Sequence, residues 1–186
     1  MKKPNYNKDK KQLLTLLKHL SFKRKRVVLA SGKISNYYFD GRISSLSSQG
    51  SYLMAKIILD MIKKDKINAI GGLTLGADPI IGATVALSYK RNTPINGFIV
   101  RKNEKKHGMR KLIEGPKLKK SSKVLIIDDV VTTGSSTIQA IEAVQSIGCE
   151  IVRVIAIVDR CEGAQENIKK AGCTLESIFT IKDFNI

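Results

Sequence analysis

The sequence predicts an α/β fold in which a central, mostly parallel sheet is flanked by helices. Hydrophobic residues make up 42% of the 186-residue chain, a length and composition typical of one domain with a sizeable core. Short apolar runs of strand length alternate along the chain with segments of helical periodicity, which is the pattern of parallel strands joined by helices. We therefore expect residues 1–186 to form a single domain.

The first four predicted elements precede a glycine-rich turn at residues 71–76. Leucines that share one helical face predict a helix over residues 9–20. The β-branched and aromatic residues of 27–29 and 37–39 predict two short strands joined by a turn at Ser31–Gly32. Apolar residues recur at helical spacing within 51–64, which predicts an amphipathic helix.

The next elements lie around that turn and lead into a charged segment. The apolar run 67–71 predicts a strand, and a helix is expected over 78–90, with Pro79 tolerated in its first turn. Residues 96–101 predict a further strand. Residues 102–115 combine many charges with two glycines and no periodicity, so we expect a mobile loop there.

The last five elements complete the alternation of strands and helices. Four consecutive aliphatic residues within 123–128 predict a strand that is buried on both faces of a parallel sheet. Periodicity then predicts a helix over 136–147, a strand over 151–158, a helix near 162–171 and a final strand near 175–181.

The net charge of +17 is concentrated in two segments. Residues 1–26 carry +9 and residues 101–123 carry +8, so the rest of the chain is neutral. A focal basic field suits a polyanionic partner, which is either nucleic acid or a small phosphorylated substrate. For residues 1–26 a solvated, lysine-rich surface is the simpler interpretation. For residues 101–123 the neighbouring motifs favour the phosphorylated substrate.

The sequence also favours a cytoplasmic protein that does not enter a membrane. Its three cysteines are scattered and form no Cys-x-x-Cys pair, so neither a disulfide framework nor a structural zinc site is expected. Asp78 and Pro79 interrupt the longest apolar stretch, and the lysine-rich start has no apolar region typical of a signal peptide.

Residues 124–137 carry the most specific chemical pattern in the chain. A buried strand ends in two adjacent carboxylates, Asp128 and Asp129, and a hydroxyl-rich turn with Gly134 then begins a helix. Ligands bind at the carboxyl ends of strands in open α/β sheets, and amides at a helix start can hold phosphate. Paired acids can accept hydrogen bonds from vicinal ribose hydroxyls. The pattern predicts a ribose-5-phosphate site; the alternative is an ordinary helix cap after polar strand-end residues.

This segment resembles the phosphoribosyl-diphosphate-binding motif of type I phosphoribosyltransferases. Three further stretches, 31–42, 72–79 and 98–115, resemble in order the hood segment, the diphosphate-side turn and the catalytic loop of orotate phosphoribosyltransferases. The matches cover most of residues 27–160. The resemblance implies a type I phosphoribosyltransferase-like fold, with the N-terminal helix and a small hood at about residues 1–45.

The resemblance also implies the reaction and its residues. The phosphoribosyl group of 5-phosphoribosyl 1-diphosphate passes to orotate, giving orotidine 5'-phosphate and diphosphate, a step of de novo pyrimidine biosynthesis. Mg²⁺ is the implied cofactor, bound mainly through substrate and water, because charge builds on the leaving diphosphate. The implied catalytic residues are Lys105, the main leaving-group stabiliser, its helper His107, Asp128 and Asp129. The implied substrate-binding residues are Arg101, Lys102, Lys105, His107, Asp128, Asp129, Val130, Val131, Thr132, Thr133, Gly134, Ser135, Ser136, Arg160, Tyr38 and Phe39.

Within that set, the resemblance assigns different contacts with the base to four residues. Arg160 meets the base and Thr132 contacts its carboxylate side, while Tyr38 and Phe39 lie beside the orotate ring. For Phe39, packing inside the hood is an equally good interpretation.

The sequence departs from one familiar variant of the family at two places. Ala30 stands where that variant has a lysine, and Leu75 and Gly76 stand where it has a Tyr-Lys pair. No lysine contact is therefore expected from the turn, and Asp78 becomes a candidate to hold metal through water.

Two other functions compete with orotate phosphoribosyl transfer. The first is the same transfer to another base, which the hood segment and the loop around Lys105 and His107 disfavour. The second is a non-catalytic regulator of the same fold that binds nucleic acid, which the retained acids and leaving-group residues disfavour. We expect small-molecule substrates as partners, without membrane or nucleic acid. We also expect a homodimer in which each loop 102–115 reaches the neighbour's active site.

Overall fold

A six-stranded sheet lies between two layers of helices, and a two-stranded sheet stands at one end of it. The computed structural model describes residues 6–28, 34–103 and 112–185. The helices are α1 (Tyr6–Leu20), α2 (Gly41–Ser45), α3 (Ser48–Met61), α4 (Asp78–Lys90), α5 (Ser135–Ser146) and α6 (Ala164–Lys170). The strands are β1 (Phe22–Val28), β2 (Ile34–Phe39), β3 (Ala69–Leu73), β4 (Asn96–Val100), β5 (Ile113–Glu114), β6 (Lys123–Val131), β7 (Glu150–Asp159) and β8 (Leu175–Thr180). A 3₁₀ helix covers Ile181–Phe184.

The order of strands in the main sheet brings several connecting turns to one edge. The order is β5-β4-β3-β6-β7-β8, and only β5 runs antiparallel to its neighbour. The five parallel strands therefore end on the same side, where ligands of open α/β sheets bind. The segments that follow β3, β4, β6 and β7 all begin at this carboxyl edge. The prediction of a mostly parallel sheet is confirmed.

The centre of the core is β6, which is buried on both faces as its aliphatic run predicts. Alternate residues of a strand point to opposite faces. Leu125 and Ile127 belong to the cluster that includes buried residues of α1, α3 and α4. Val124 and Ile126 belong to the cluster that includes buried residues of α5 and α6. Burial on both sides holds the end of β6 in a fixed position, which matters because the two acids stand there.

The two-stranded sheet of β1 and β2 is the hood, and aromatic residues attach it to the C-terminus. The strands are antiparallel, with Phe22 opposite Phe39. The ring of Phe184, in the 3₁₀ helix, packs edge-on against Phe39 with centroids 5.3 Å apart. The same ring lies 5.5 Å from that of Phe22. The last residues of the chain therefore support the hood.

Three features of the fold differ from the sequence prediction. β1 begins at Phe22 instead of residue 27, because pairing with β2 extends it through four exposed basic residues that carry no apolar signal. The short helix α2 was not predicted; Asp40 caps its first turn by accepting from the Arg42 amide. β5 lies inside the predicted loop 102–115 and pairs with the end of β4.

Some predictions fall on parts of the chain that are not described. The turn at Ser31–Gly32 and residues 104–111 of the predicted loop lie outside the described residues. Within the described ranges, no helix is both long and apolar enough to cross a membrane.

Candidate active site

The turn between β6 and α5 forms an open cradle at the carboxyl edge. Gly134 adopts a φ of 80°, in the left-handed region that favours glycine, and α5 begins at the next residue. No side chain of the described residues caps α5. Thr133, Ser135 and Ser136 are exposed. Unpaired amides at a helix start, surrounded by hydroxyls, attract an anion such as phosphate. The predicted tight turn at Gly134 before the helix is present, whereas β6 continues through Val131 and ends three residues later than predicted.

Asp128 lies beneath the cradle and is only 7% exposed. Its Oδ1 accepts a hydrogen bond from the Asp129 amide at 3.0 Å, and its Oδ2 accepts one from Thr137 Oγ1 at 2.8 Å. Burial, with the neighbouring charge of Asp129, raises the pKa of Asp128 to about 7, while the Thr137 hydroxyl opposes this rise. Thr137 was not among the predicted site residues. Its position two residues into α5 was a signal, because the first helical turn packs against the strand end.

Asp129 occupies a space that two glycines leave free. A Cβ at Gly41, the first residue of α2, would lie 2.7 Å from Asp129 Oδ2. A Cβ at Gly76, in the turn after β3, would also overlap the carboxylate. Asp129 Oδ1 accepts a hydrogen bond from the Val130 amide at 2.9 Å. Burial raises the pKa of Asp129. The start of α2, the β3 turn and β6 thus meet at this side chain, which the sequence alone did not indicate.

Two of the predicted cationic residues follow β4 at the same edge. Arg101 Nη1 lies 3.5 Å from Glu114 Oε1 on β5, and the Arg101 amide donates to the Leu112 carbonyl at 2.9 Å. Lys102 is exposed. The predicted Lys105 and His107 lie outside the described residues.

Arg160 follows β7 and is anchored beside the cradle. Its amide donates to the carbonyl of Val131 at 2.9 Å. Its Nε donates to the hydroxyl of Tyr37 at 3.0 Å and lies 2.9 Å from Glu162 Oε1. Its guanidinium carbon lies 4.8 Å from the centroid of the Tyr37 ring. The sequence singled out Arg160 but not the partners that hold it.

The two aromatic residues predicted to lie beside a base differ in burial. Tyr38 is 38% exposed, and its hydroxyl lies 3.4 Å from Asp40 Oδ2. Phe39 is 9% exposed and packs against Phe184 in the core. The structure therefore places Phe39 as a support of the hood, and Tyr38 is the more accessible of the two rings.

Carboxylates at the carboxyl edge could assist a magnesium ion without enclosing it. No group of three His, Cys, Asp or Glu side chains in the described ranges is arranged to hold a metal. Asp78 Oδ2 accepts a hydrogen bond from Thr74 Oγ1 at 2.7 Å, whereas its buried Oδ1 has no hydrogen-bond partner among the described residues. Carboxylate oxygens suit Mg²⁺, which usually keeps several waters and binds substrate phosphates. The donor set fits a metal held chiefly by a phosphorylated ligand.

Comparisons with known proteins identify the family. Residues 53–186 match the family model of the phosphoribosyl transferase domain. The chain is 40% identical over 174 residues to an orotate phosphoribosyltransferase of Nostoc sp., covering 94% of this chain and 84% of that protein. It is 44% identical over 155 residues to the enzyme of Aquifex aeolicus, covering 83% and 84%. The chain belongs to the orotate phosphoribosyltransferase family.

Solved structures of this family agree with the fold. The orotate phosphoribosyltransferase of Mycobacterium tuberculosis in complex with Fe(III) dicitrate superimposes with a TM-score of 0.84 at 37% identity, covering 96% of this chain and 99% of that one. Its complex with 5-phospho-α-D-ribosyl 1-diphosphate gives a TM-score of 0.80 at 35% identity with the same coverage. The predicted type I phosphoribosyltransferase fold and the enzyme class, a pentosyltransferase, are confirmed. The two competing functions are not favoured.

Proposed function

We propose that the chain transfers the phosphoribosyl group of 5-phosphoribosyl 1-diphosphate to orotate and releases diphosphate, within pyrimidine biosynthesis in the cytoplasm. One observation carries the proposal. At a single sheet edge, the open start of α5 adjoins the Asp128–Asp129 pair and lies next to Arg160, which directly follows the neighbouring strand β7. These three features follow one another in the same order as the 5'-phosphate, the ribose and the anionic base of the proposed substrates. The complex of the Mycobacterium tuberculosis relative with 5-phospho-α-D-ribosyl 1-diphosphate supports it.

The cradle binds the 5'-phosphate in this proposal. The donors are backbone amides at the start of α5 and hydroxyls of Thr132, Thr133, Ser135 and Ser136. Ribose hydroxyls donate to Asp128 and Asp129. Each carboxylate oxygen of Asp128 already accepts one hydrogen bond and can accept a second. The backbone of residues 130–134 shapes the cradle around the phosphate.

Cations at the end of β4 stabilise the leaving group. Arg101 and Lys102, with the predicted Lys105 and His107 of the adjoining loop, offset the charge that develops on diphosphate. Mg²⁺, if bound with the diphosphate, would supply additional charge neutralisation. Asp78, whose Oδ1 has no hydrogen-bond partner among the described residues, would help to hold such a metal through water.

The base lies between the hood and Arg160. The guanidinium pairs with the orotate carboxylate, because a planar fork of N–H donors matches a carboxylate. Thr132, one residue past β6, lies on the same side as the carboxylate. Tyr38 contacts the ring, and Phe39 supports it from the core.

Exposed apolar side chains beside the site support a homodimer. Leu46 and Leu75 are 70% and 61% exposed, and each lies close in sequence to a glycine that flanks Asp129. Mixing Lys105→Ala and Asp128→Ala variants, each inactive alone, should restore part of the activity through hybrid dimers. If subunits exchange and no activity returns, the active site is not shared.

The decisive assay is the loss of orotate absorbance with 5-phosphoribosyl 1-diphosphate and Mg²⁺. Adenine, hypoxanthine and uracil serve as control bases. Turnover of orotate alone is the expected result. Turnover of another base would contradict the assignment of Tyr38, Phe39 and Arg160, and no turnover by a folded sample would contradict the enzymatic proposal.

A further inference from the structure

We propose that Tyr37 is a positioning residue that aims the Arg160 guanidinium at the carboxylate of the base and thereby sets the preference for an anionic substrate. The inference rests on the proposed function, because it takes Arg160 as the group that meets orotate. It adds Tyr37, a residue outside the predicted site set that is 123 positions from Arg160 in the sequence.

The contact between the two residues has two parts. Arg160 Nε donates to the Tyr37 hydroxyl at 3.0 Å, and the guanidinium carbon lies 4.8 Å from the ring centroid. The ring therefore limits where the guanidinium plane can lie, and the hydroxyl limits its rotation within that plane. Glu162 Oε1, 2.9 Å from the same nitrogen, adds an ion pair on this side. The Arg160 side chain is 9% exposed, so solvent screens these contacts weakly.

These contacts occupy one nitrogen and leave two for a ligand. Among the described residues, the one side-chain hydrogen bond of Arg160 is donated by Nε, and neither terminal amino group donates a hydrogen bond. A carboxylate binds most strongly to parallel N–H groups of a guanidinium held in a fixed orientation. An arginine that is not held loses rotamer freedom when it binds, which weakens the affinity. Tyr37 removes that cost before the base arrives.

Tyr37 can act in this way because it is itself held. Its ring lies 5.9 Å from Phe22 across the hood, and Phe22 lies 5.5 Å from Phe184 at the C-terminus. The Arg24 side chain also donates to the carbonyl of Asn185 at 2.9 Å. The orientation of Arg160 thus depends on the hood and on the C-terminal 3₁₀ helix.

The test compares Tyr37→Phe, which keeps the ring, with Tyr37→Leu, which removes both contacts. Tyr89→Phe, 79% exposed on α4, is the matched control. For Tyr37→Phe we expect KM for orotate to rise about tenfold, the effect of losing one hydrogen bond to a charged group. KM for 5-phosphoribosyl 1-diphosphate and kcat should not change. Tyr37→Leu should raise KM for orotate further, because the cation–π contact is also lost.

Arg160→Lys separates failure of this inference from failure of the proposed function. If Arg160→Lys raises KM for orotate but Tyr37→Phe does not, Tyr37 has no positioning role and the proposed function stands. If Arg160→Lys leaves KM for orotate unchanged, the assignment of Arg160 to the base is wrong and the inference falls with it. Equal increases of both KM values in Tyr37→Phe would show that Tyr37 only supports the fold.

Discussion

The buried hydrogen bond from Thr137 to Asp128 should control the pH range in which Asp128 is ionised. Thr137→Val removes the hydroxyl that donates to Asp128 Oδ2 at 2.8 Å and keeps nearly the same shape. A hydrogen bond to a charged group contributes about 1.5–3 kcal/mol. The bond to the neutral acid is worth about 1 kcal/mol, so the charged form loses about 0.5–2 kcal/mol more than the neutral form. Since one pKa unit corresponds to about 1.4 kcal/mol, the pKa of Asp128 should rise by about 0.4 to 1.5 units. The starting value is already about 7.

The sign of the effect on stability follows from proton binding. Burial raises the pKa of Asp128 above that of the unfolded chain, so the native state binds more protons between the two values. The contribution of Asp128 to the free energy of unfolding is therefore greatest at low pH and declines as the pH rises through about 7. At pH 9, where the wild-type carboxylate is ionised, Thr137→Val should lose about 1.5–3 kcal/mol. At pH 5, where the acid is neutral, the loss should be about 1 kcal/mol.

Urea unfolding at the two pH values measures this difference, and Thr137→Ser, which keeps the hydroxyl, is the control. In the proposed function ribose binding uses the ionised acid, so the acid limb of the profile of kcat/KM against pH should also move upward by about 0.4 to 1.5 units in Thr137→Val. Equal destabilisation at both pH values would refute the reasoning. A Thr137→Ser variant that loses as much free energy of unfolding as Thr137→Val would also refute it.

Three further outcomes are expected. Gly41→Ala places a Cβ 2.7 Å from Asp129 Oδ2 and should lower kcat/KM for 5-phosphoribosyl 1-diphosphate by about tenfold or more. Gly82→Ala, whose Cβ meets no atom within 4 Å, should leave kcat/KM unchanged and stabilise α4 by up to about 1 kcal/mol. Phe184→Ala removes a ring that is 3% exposed, and urea unfolding should show a loss of about 3 kcal/mol. Its KM for orotate should rise more than that for the diphosphate substrate, because Phe39 loses its support. Chelation of Mg²⁺ should abolish turnover and leave Tm unchanged, with full recovery when Mg²⁺ is returned; a lowered Tm would indicate a structural metal.

Elements with a strong local pattern were predictable, and weakly patterned ones were not. β6 followed from four consecutive aliphatic residues, and the cradle followed from the acids and hydroxyls directly after it. β1 was placed five residues late because its basic residues favour a strand only when β2 pairs with them. β5 has two residues, too few for any periodicity, and depends on hydrogen bonds to β4.

By itself the sequence determined the fold class, the glycine turn that precedes α5 and the candidate acids, because these depend on residues that are neighbours in the chain. Only the tertiary structure decided which distant side chains contact the candidate site residues. Tyr37 and Arg160 are 123 positions apart, and nothing local to either residue indicates that they meet. Phe39 fitted equally well beside a base or in the core until the ring of Phe184 was found against it. Such contacts arise from the packing of distant elements, and local periodicity carries no information about that packing.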